Sequence, residues 1–176
     1  ILFWTGIRIG ELLALTFSDV NLQTRVMTVN KSYQRLKGKD IVTPPKTPKS
    51  NRTVNLPGFL VEDIMDYKES LYDPKPTDRL IPVPKTFLEK EMNRGVKLSG
   101  MKKIRIHDLR HSHVSLLIEL GFSPKEIAER LGHENIETTL NTYSHLYPNK
   151  QEKMANRLDA FYQESMEERK IDDGTL

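Results

Sequence analysis

Residues 123–143 read SPKEIAERLGHENIETTLNTY, and how they are read decides what kind of fold this is. Ser123 can cap a helix, Pro124 suits a first helical position, and Gly132 suits a helix stop. A second helical stretch, IETTLNTY, follows at once. Two short helices across a tight turn have the outline of a helix-turn-helix, whose second helix would lie in a DNA major groove. That reading leaves His133, at the turn, and Tyr143, ten residues on, without a task. Neither residue is needed to read a groove.

Upstream, HDLRHSHVSLLIELG (107–121) predicts another helix with His107 and Arg110 three apart near its start. An arginine at the positive end of a helix offers a planar fork of donors matched to phosphate oxygens, and the helix amides add theirs. His107 and His111 are four apart, which is metal-ligand spacing. With no cysteine, no HExxH and no carboxylate on that face, a zinc site is set aside and no metal is expected.

Toward the N-terminus, TGIRIGELLALTFSDV predicts a helix capped by Thr5, with Ile9, Leu12, Leu13 and Leu15 on its apolar face. Then RVMTVNKSYQRL, DIVTPPK and NRTVNLP predict a small antiparallel sheet of three strands. GFLVEDIMDYKESL (58–71) returns to helical spacing, YDPKPTDRLIPVP (72–84) is a proline-rich connector, and TFLEKEMNRGVKLSG (86–100) is helical again. At the far end, PNKQEKMANRLDAFYQESMEERK places Met154, Leu158, Phe161, Tyr162 and Met166 on one stripe of a charged helix. The expected fold class is α+β, mostly α-helical with a small antiparallel three-stranded sheet. The expected organisation is one domain over 1–176 with an acidic C-terminal helix and tail over about 148–176.

The 176 residues carry a net charge of +3, unevenly spread. Residues 157–176 hold three basic against six acidic side chains, so the preceding body carries +6. A basic body suggests a polyanionic partner. No apolar run is long enough to span a membrane, and no signal peptide is evident. The opening ILFWTGIRIG, four large apolar residues without a methionine, reads as a cut through the end of a helix in a longer protein.

Five pieces now fall in order: Arg8 in TGIRIGEL, Lys49 in TPKSNRTVNLP, His107 and Arg110 in HDLR, His133 in LGH, and Tyr143 in TLNTYSH. Each alone is weak. In this order and spacing, over nearly the whole chain, they resemble the tyrosine recombinases, in particular the catalytic domain of phage and conjugative-transposon integrases.

The resemblance implies a site-specific recombinase that cleaves and rejoins DNA through a 3′-phosphotyrosine intermediate, without metal, nucleotide or other cofactor. It implies that Tyr143 attacks phosphorus, that Arg8 and Arg110 clamp the phosphate, and that Lys49, on a β-hairpin, protonates the leaving 5′-oxygen. His107 would hydrogen-bond the phosphate or shuttle a proton to Tyr143, His133 would donate to a non-bridging oxygen, and Glu11 would brace the arginines. Lys46, Arg52, Lys102, Lys103 and Arg105 are expected to contact DNA. Double-stranded DNA, a tetramer assembled on it, and a cytoplasmic, bacterial or phage-encoded setting complete the expectation. Two rivals stand beside it: a non-catalytic helix-turn-helix regulator using residues 123–146, and a type IB topoisomerase.

Overall fold

Leu12 and Leu15 pack into one core while Leu13 and Ala14 pack into another, so a single short helix joins two apolar clusters. A computed structural model describes residues 1–45, 47–146 and 154–164. The chain forms two compact units, Ile1–Tyr143 and Ser144–Leu176. In the first unit the elements run α1 (Leu2–Thr5), α2 (Ile9–Ala14), β1 (Val20–Asn21), β2 (Val26–Val29), β3 (Ser32–Leu36), β4 (Lys39–Thr43), β5 (Arg52–Asn55), α3 (Gly58–Glu69), α4 (Lys85–Ser99), α5 (Asp108–Glu119), α6 (Pro124–Leu131) and α7 (Ile136–Tyr143).

The class is the expected one, mostly helical with small antiparallel sheets, but the strands are divided differently. Residues 25–36 do not make one strand. β2 pairs with β1 on one side and β5 on the other, with Met27 opposite both Val20 and Val54. Met27, Val29 and Val54 are buried, as alternation on a half-covered sheet requires. After Val29 the chain leaves that sheet, and β3 pairs with β4 in a separate two-stranded hairpin. Its tight turn, Lys37–Gly38, has positive φ at both residues (49° and 79°), the twist that matches right-handed strands.

Thr5 does not cap the second helix. It ends α1, its hydroxyl donating to the Ile1 carbonyl at 2.9 Å, and Arg8 occupies the N-cap of α2. The proline-rich connector is pinned by Leu80, fully buried, whose N–H donates to the Leu15 carbonyl at 2.8 Å. α6 begins with a reciprocal cap: the Ser123 hydroxyl accepts from the Glu126 N–H, and the Glu126 carboxylate accepts from the Ser123 N–H at 2.7 Å.

Two glycines are fixed by what lies beside them. Gly6 (φ 66°) ends α1, and a Cβ there would stand 2.5 Å from the His113 ring. Gly132 (φ 67°) ends α6, and a Cβ there would stand 2.9 Å from the Arg52 side chain. Both need the left-handed backbone and the missing side chain.

The second unit contains a 3-10 turn, Ser144–Leu146, and a helix over 154–164 on which Met154, Leu158 and Phe161 are exposed. Met166, the last member of the expected stripe, lies outside the described residues. No helix among the described residues is long and apolar enough to cross a membrane.

Candidate active site

Arg110 is the hub. It lies on the first turns of α5, is only 4% exposed, and sends its guanidinium to three segments. Nη1 donates to the Gly6 carbonyl, Nη2 donates to the Leu131 carbonyl at 2.9 Å, and Nη2 also meets His133 Nε2 at 3.0 Å. Burial, then the nearby Arg8 charge, push it below the ordinary arginine range, to about 9, so it remains a cation at neutral pH.

An arginine only donates, so His133 Nε2 accepts from Arg110. In the neutral ring the proton then sits on Nδ1, which donates to the buried Thr139 hydroxyl at 2.8 Å. Burial and the charges of Arg110, Arg8 and Arg52 hold His133 at about 4, which keeps it neutral. The expected role of His133 is donation to a non-bridging oxygen. Both ring nitrogens are engaged, and Nε2 must leave Arg110, carrying a proton, before it can donate.

Arg8 is the open cation. Its side chain is 41% exposed, its Nη1 donates to Glu11 at 3.0 Å, and it lines a groove together with His133 and the β3–β4 hairpin. Glu11 is buried and accepts from four donors: the Arg8 N–H and Nη1, and both terminal nitrogens of Arg52 at 3.0 and 3.1 Å. Burial disfavours its charge, but the Arg52 fork and Arg8 more than offset this, and its carboxyl is held below the usual range. Glu11 therefore holds Arg8 and Arg52, whereas the sequence reading has it brace Arg8 and Arg110.

Arg52 departs from expectation. Its side chain is 6% exposed, and besides gripping Glu11 it donates to the Arg130 carbonyl at 2.9 Å and the Ser50 carbonyl at 3.2 Å. A guanidinium so occupied has no free edge for a DNA phosphate. It ties the loop before β5 to α2 and α6. What sequence lacked was Glu11's depth: a buried carboxylate needs a charge partner and hydrogen bonds for its remaining lone pairs.

Lys49 stands in a 3-10 turn, Pro48–Ser50, between β4 and β5, and not on the β3–β4 hairpin. It is exposed, and its Nζ donates to the Glu134 carbonyl at 2.8 Å, next to His133. Lys46 lies outside the described residues. Lys102, Lys103 and Arg105 are exposed on the extended approach to α5, with Arg105 paired to Asp108 at 2.9 Å.

Tyr143, the last residue of α7, is buried at 5% exposure. Burial raises its phenol above the ordinary value, while the charge of Arg110 works the other way. Its hydroxyl meets His111 Nδ1 at 2.6 Å. His107, expected to hydrogen-bond the phosphate or to shuttle a proton to Tyr143, packs its ring edge-on against His111, with centroids 5.1 Å apart. Burial, then His111 and the two arginines, lower the basicity of His107. Sequence reasoning weighed His111 only as a metal ligand; its sole signal was the i, i+4 spacing.

A recognition helix commonly carries arginine or lysine for base edges and phosphates. α7 has none: Thr139 and Tyr143 face inward, and Glu137, Thr138 and Leu140 face out. Among the described residues no three His, Asp or Glu side chains gather where a metal could sit.

One buried group gives a pH prediction. His113, 3% exposed on α5, accepts at Nε2 from Arg130 Nε at 3.1 Å. Burial and then Arg130 hold it at about 4, because a protonated ring would oppose donor to donor. A depressed folded value means stability is complete above the unfolded value, about 6.5, and falls away as pH drops toward 4. The full loss is about 3 kcal/mol, at 1.36 kcal/mol per pH unit of difference. His113→Gln keeps an acceptor for Arg130 without titrating, so its melting temperature should fall less than wild type between pH 7 and 4.5.

Comparison with known proteins extends these observations. The sequence profile of the phage integrase family matches residues 1–150. The ICEBs1 integrase of Bacillus subtilis (strain 168) is 37% identical over 174 residues, covering 89% of this chain and 46% of that protein. The integrase of Staphylococcus phage L54a is 30% identical over 172 residues, covering 88% and 49%. In structure, the Tn1549 transposon integrase in complex with circular intermediate DNA superposes with a TM-score of 0.78 at 25% identity, over 89% of this chain and 57% of that one. The chain thus spans about half the length of these relatives.

Proposed function

The chain belongs to the phage integrase family, and on that premise we propose that it is the strand-cleaving part of a site-specific DNA recombinase with Tyr143 as nucleophile. One observation carries this reading above the others. Arg110, contributed by α5, touches His133 after α6, and its charge bears on Tyr143 at the end of α7, while Arg8 shares a groove with His133. A regulator has no use for that convergence.

The chemistry follows from the groups. Tyr143 attacks phosphorus, leaving a 3′-phosphotyrosine and a 5′-hydroxyl, and the 5′-hydroxyl of another strand reverses the step. The pentavalent phosphorus concentrates negative charge on its non-bridging oxygens, and fixed cations meet that charge without reorganising. Arg110 supplies the buried, immobile cation and Arg8 the accessible one. His107, exposed at the N-cap of α5, adds a donor beside the phosphate. Lys49 breaks its bond to the Glu134 carbonyl and delivers a proton to the departing 5′-oxygen. Lys102, Lys103 and Arg105 contact the DNA backbone. The helix over 154–164 bears an apolar side suited to self-association on DNA, and a tetramer is the assembly we propose. The reaction runs wherever the element's DNA resides, which for a bacterial or phage gene is the cytoplasm.

A nicked suicide duplex carrying the element's attachment sequence tests this reading, because the nicked strand diffuses away and traps the adduct. A covalent protein–DNA product is expected; none with either strand rules the reading out. Lys49 has its own test. A 5′-bridging phosphorothioate leaves without a proton, so it should restore cleavage to Lys49→Ala and leave Arg8→Ala inactive. Failure to restore Lys49→Ala removes Lys49 from the proton-donor role.

A further inference from the structure

The mechanism above leaves one proton unassigned. A phenol becomes a competent nucleophile only if its proton is taken as it attacks, and Tyr143 sits where burial makes ionisation harder. Among the described residues, the side chain set against its oxygen is His111, Nδ1 to Oη at 2.6 Å, with ring centroids 5.7 Å apart and the planes inclined by 53°.

The placement follows from α5. Successive residues on a helix point about 100° apart, from 3.6 residues per turn. Arg110 therefore turns inward to the Gly6 and Leu131 carbonyls, and His111 turns toward α7. Two adjacent residues thus serve the two sides of the reaction, the phosphate and the nucleophile. His107, one turn earlier, stacks its ring edge-on against His111 and limits how far that imidazole can swing.

We propose that His111 is a catalytic residue, the general base that takes the Tyr143 proton on cleavage and returns it on rejoining. The proposal rests on the recombinase reading. In cleavage the Oη–H bond breaks and Nδ1–H forms, Oη bonds to phosphorus, the bond from phosphorus to the 5′-oxygen breaks, and that oxygen takes a proton from Lys49 Nζ. His111 ends as imidazolium and Lys49 as neutral amine. Rejoining runs each transfer backward, so no outside acid or base is consumed. Before attack Nδ1 must be bare, so the ring carries its proton on Nε2.

Two measurements test this. The first is single-turnover adduct formation on the suicide duplex by wild type, His111→Ala and His111→Gln, each with tyrosine or trifluorotyrosine at position 143. A lost general base costs on the order of 10²-fold or more; both variants should show this while binding DNA within about threefold, since the proposal places no DNA contact on His111. The more acidic fluorinated phenol needs less help and should recover at least about tenfold of the loss, following Brønsted behaviour, and it should recover nothing in Arg8→Ala. Near-normal rates in His111→Ala, or a loss the fluorinated phenol leaves in place, overturns the base assignment; the second result leaves His111 as a positioning residue only. The second measurement needs no cleavage and no variant: nitrogen-15 spectra of wild type should show His111 protonated at Nε2, and a ring protonated at Nδ1 overturns the proposal. If wild type itself makes no adduct, the recombinase reading has failed, which is a different result from an active wild type indifferent to His111.

Discussion

Tyr143→Phe should form no covalent product with the suicide duplex, yet should fold and bind DNA within a few-fold of wild type. The ring is buried at the end of α7 and keeps its packing; only the hydroxyl and its bond to His111 go. A single internal hydrogen bond is worth about 1 kcal/mol net, far too little to unfold the unit. The loss of product is therefore chemical. Gel-shifted adduct and thermal melting, read on the same preparation, separate the two effects. An adduct persisting in the variant would reassign the nucleophile, and Tyr147, outside the described residues, would be tried next.

Arg110→Ala should lose both chemistry and stability, and the contrast with Arg8→Ala makes the result informative. Arg110 is 4% exposed and satisfies the Gly6 and Leu131 carbonyls. Truncation leaves those acceptors without their donor inside the unit, at about 1–3 kcal/mol for each group left unsatisfied. On the proposed reading it also removes the fixed cation that meets phosphorane charge, so cleavage should fall on the order of 10²-fold or more. Arg8 is 41% exposed, and Glu11 keeps the Arg52 fork when Arg8 is gone. Arg8→Ala should therefore cut cleavage by a similar factor while melting close to wild type. Near-normal cleavage by Arg110→Ala would remove it from the clamp. Arg110→Lys keeps a charge but cannot reach three acceptors from one planar fork, and it should remain impaired.

Several site residues were legible in the sequence because their surroundings are local. His107 and Arg110 fall at the start of a helix whatever else the chain does, and Ser123, Pro124 and Gly132 bound α6 by their own capping chemistry. Glu11 could be paired with Arg8 because the two are three residues apart, at opposite ends of one helical cap. Arg52 could not be read in this way. Its partners, Glu11 and the Arg130 carbonyl, lie 41 and 78 residues away, and an arginine beside lysines in a polar loop looks like any other surface cation until the fold closes over it.

The strands divide along the same line. Alternation marked β-prone runs, but whether residues 25–36 were one strand or two depended on partners elsewhere, β5 for the first half and β4 for the second.

By itself the sequence determined the class of fold, the order of the chemical groups and the tyrosine that stands last among them. The class follows from short-range rules of capping and periodicity, which need only neighbours along the chain; the groups stand out by their resemblance, in order and spacing, to the tyrosine recombinases. Tertiary structure decided which histidine meets that tyrosine, which partners occupy the two nitrogens of His133, and which arginines face solvent. Each of these is set by distance and burial among residues far apart in sequence. Hydrogen bonds act over about 3 Å in space, and the order of residues does not record that separation.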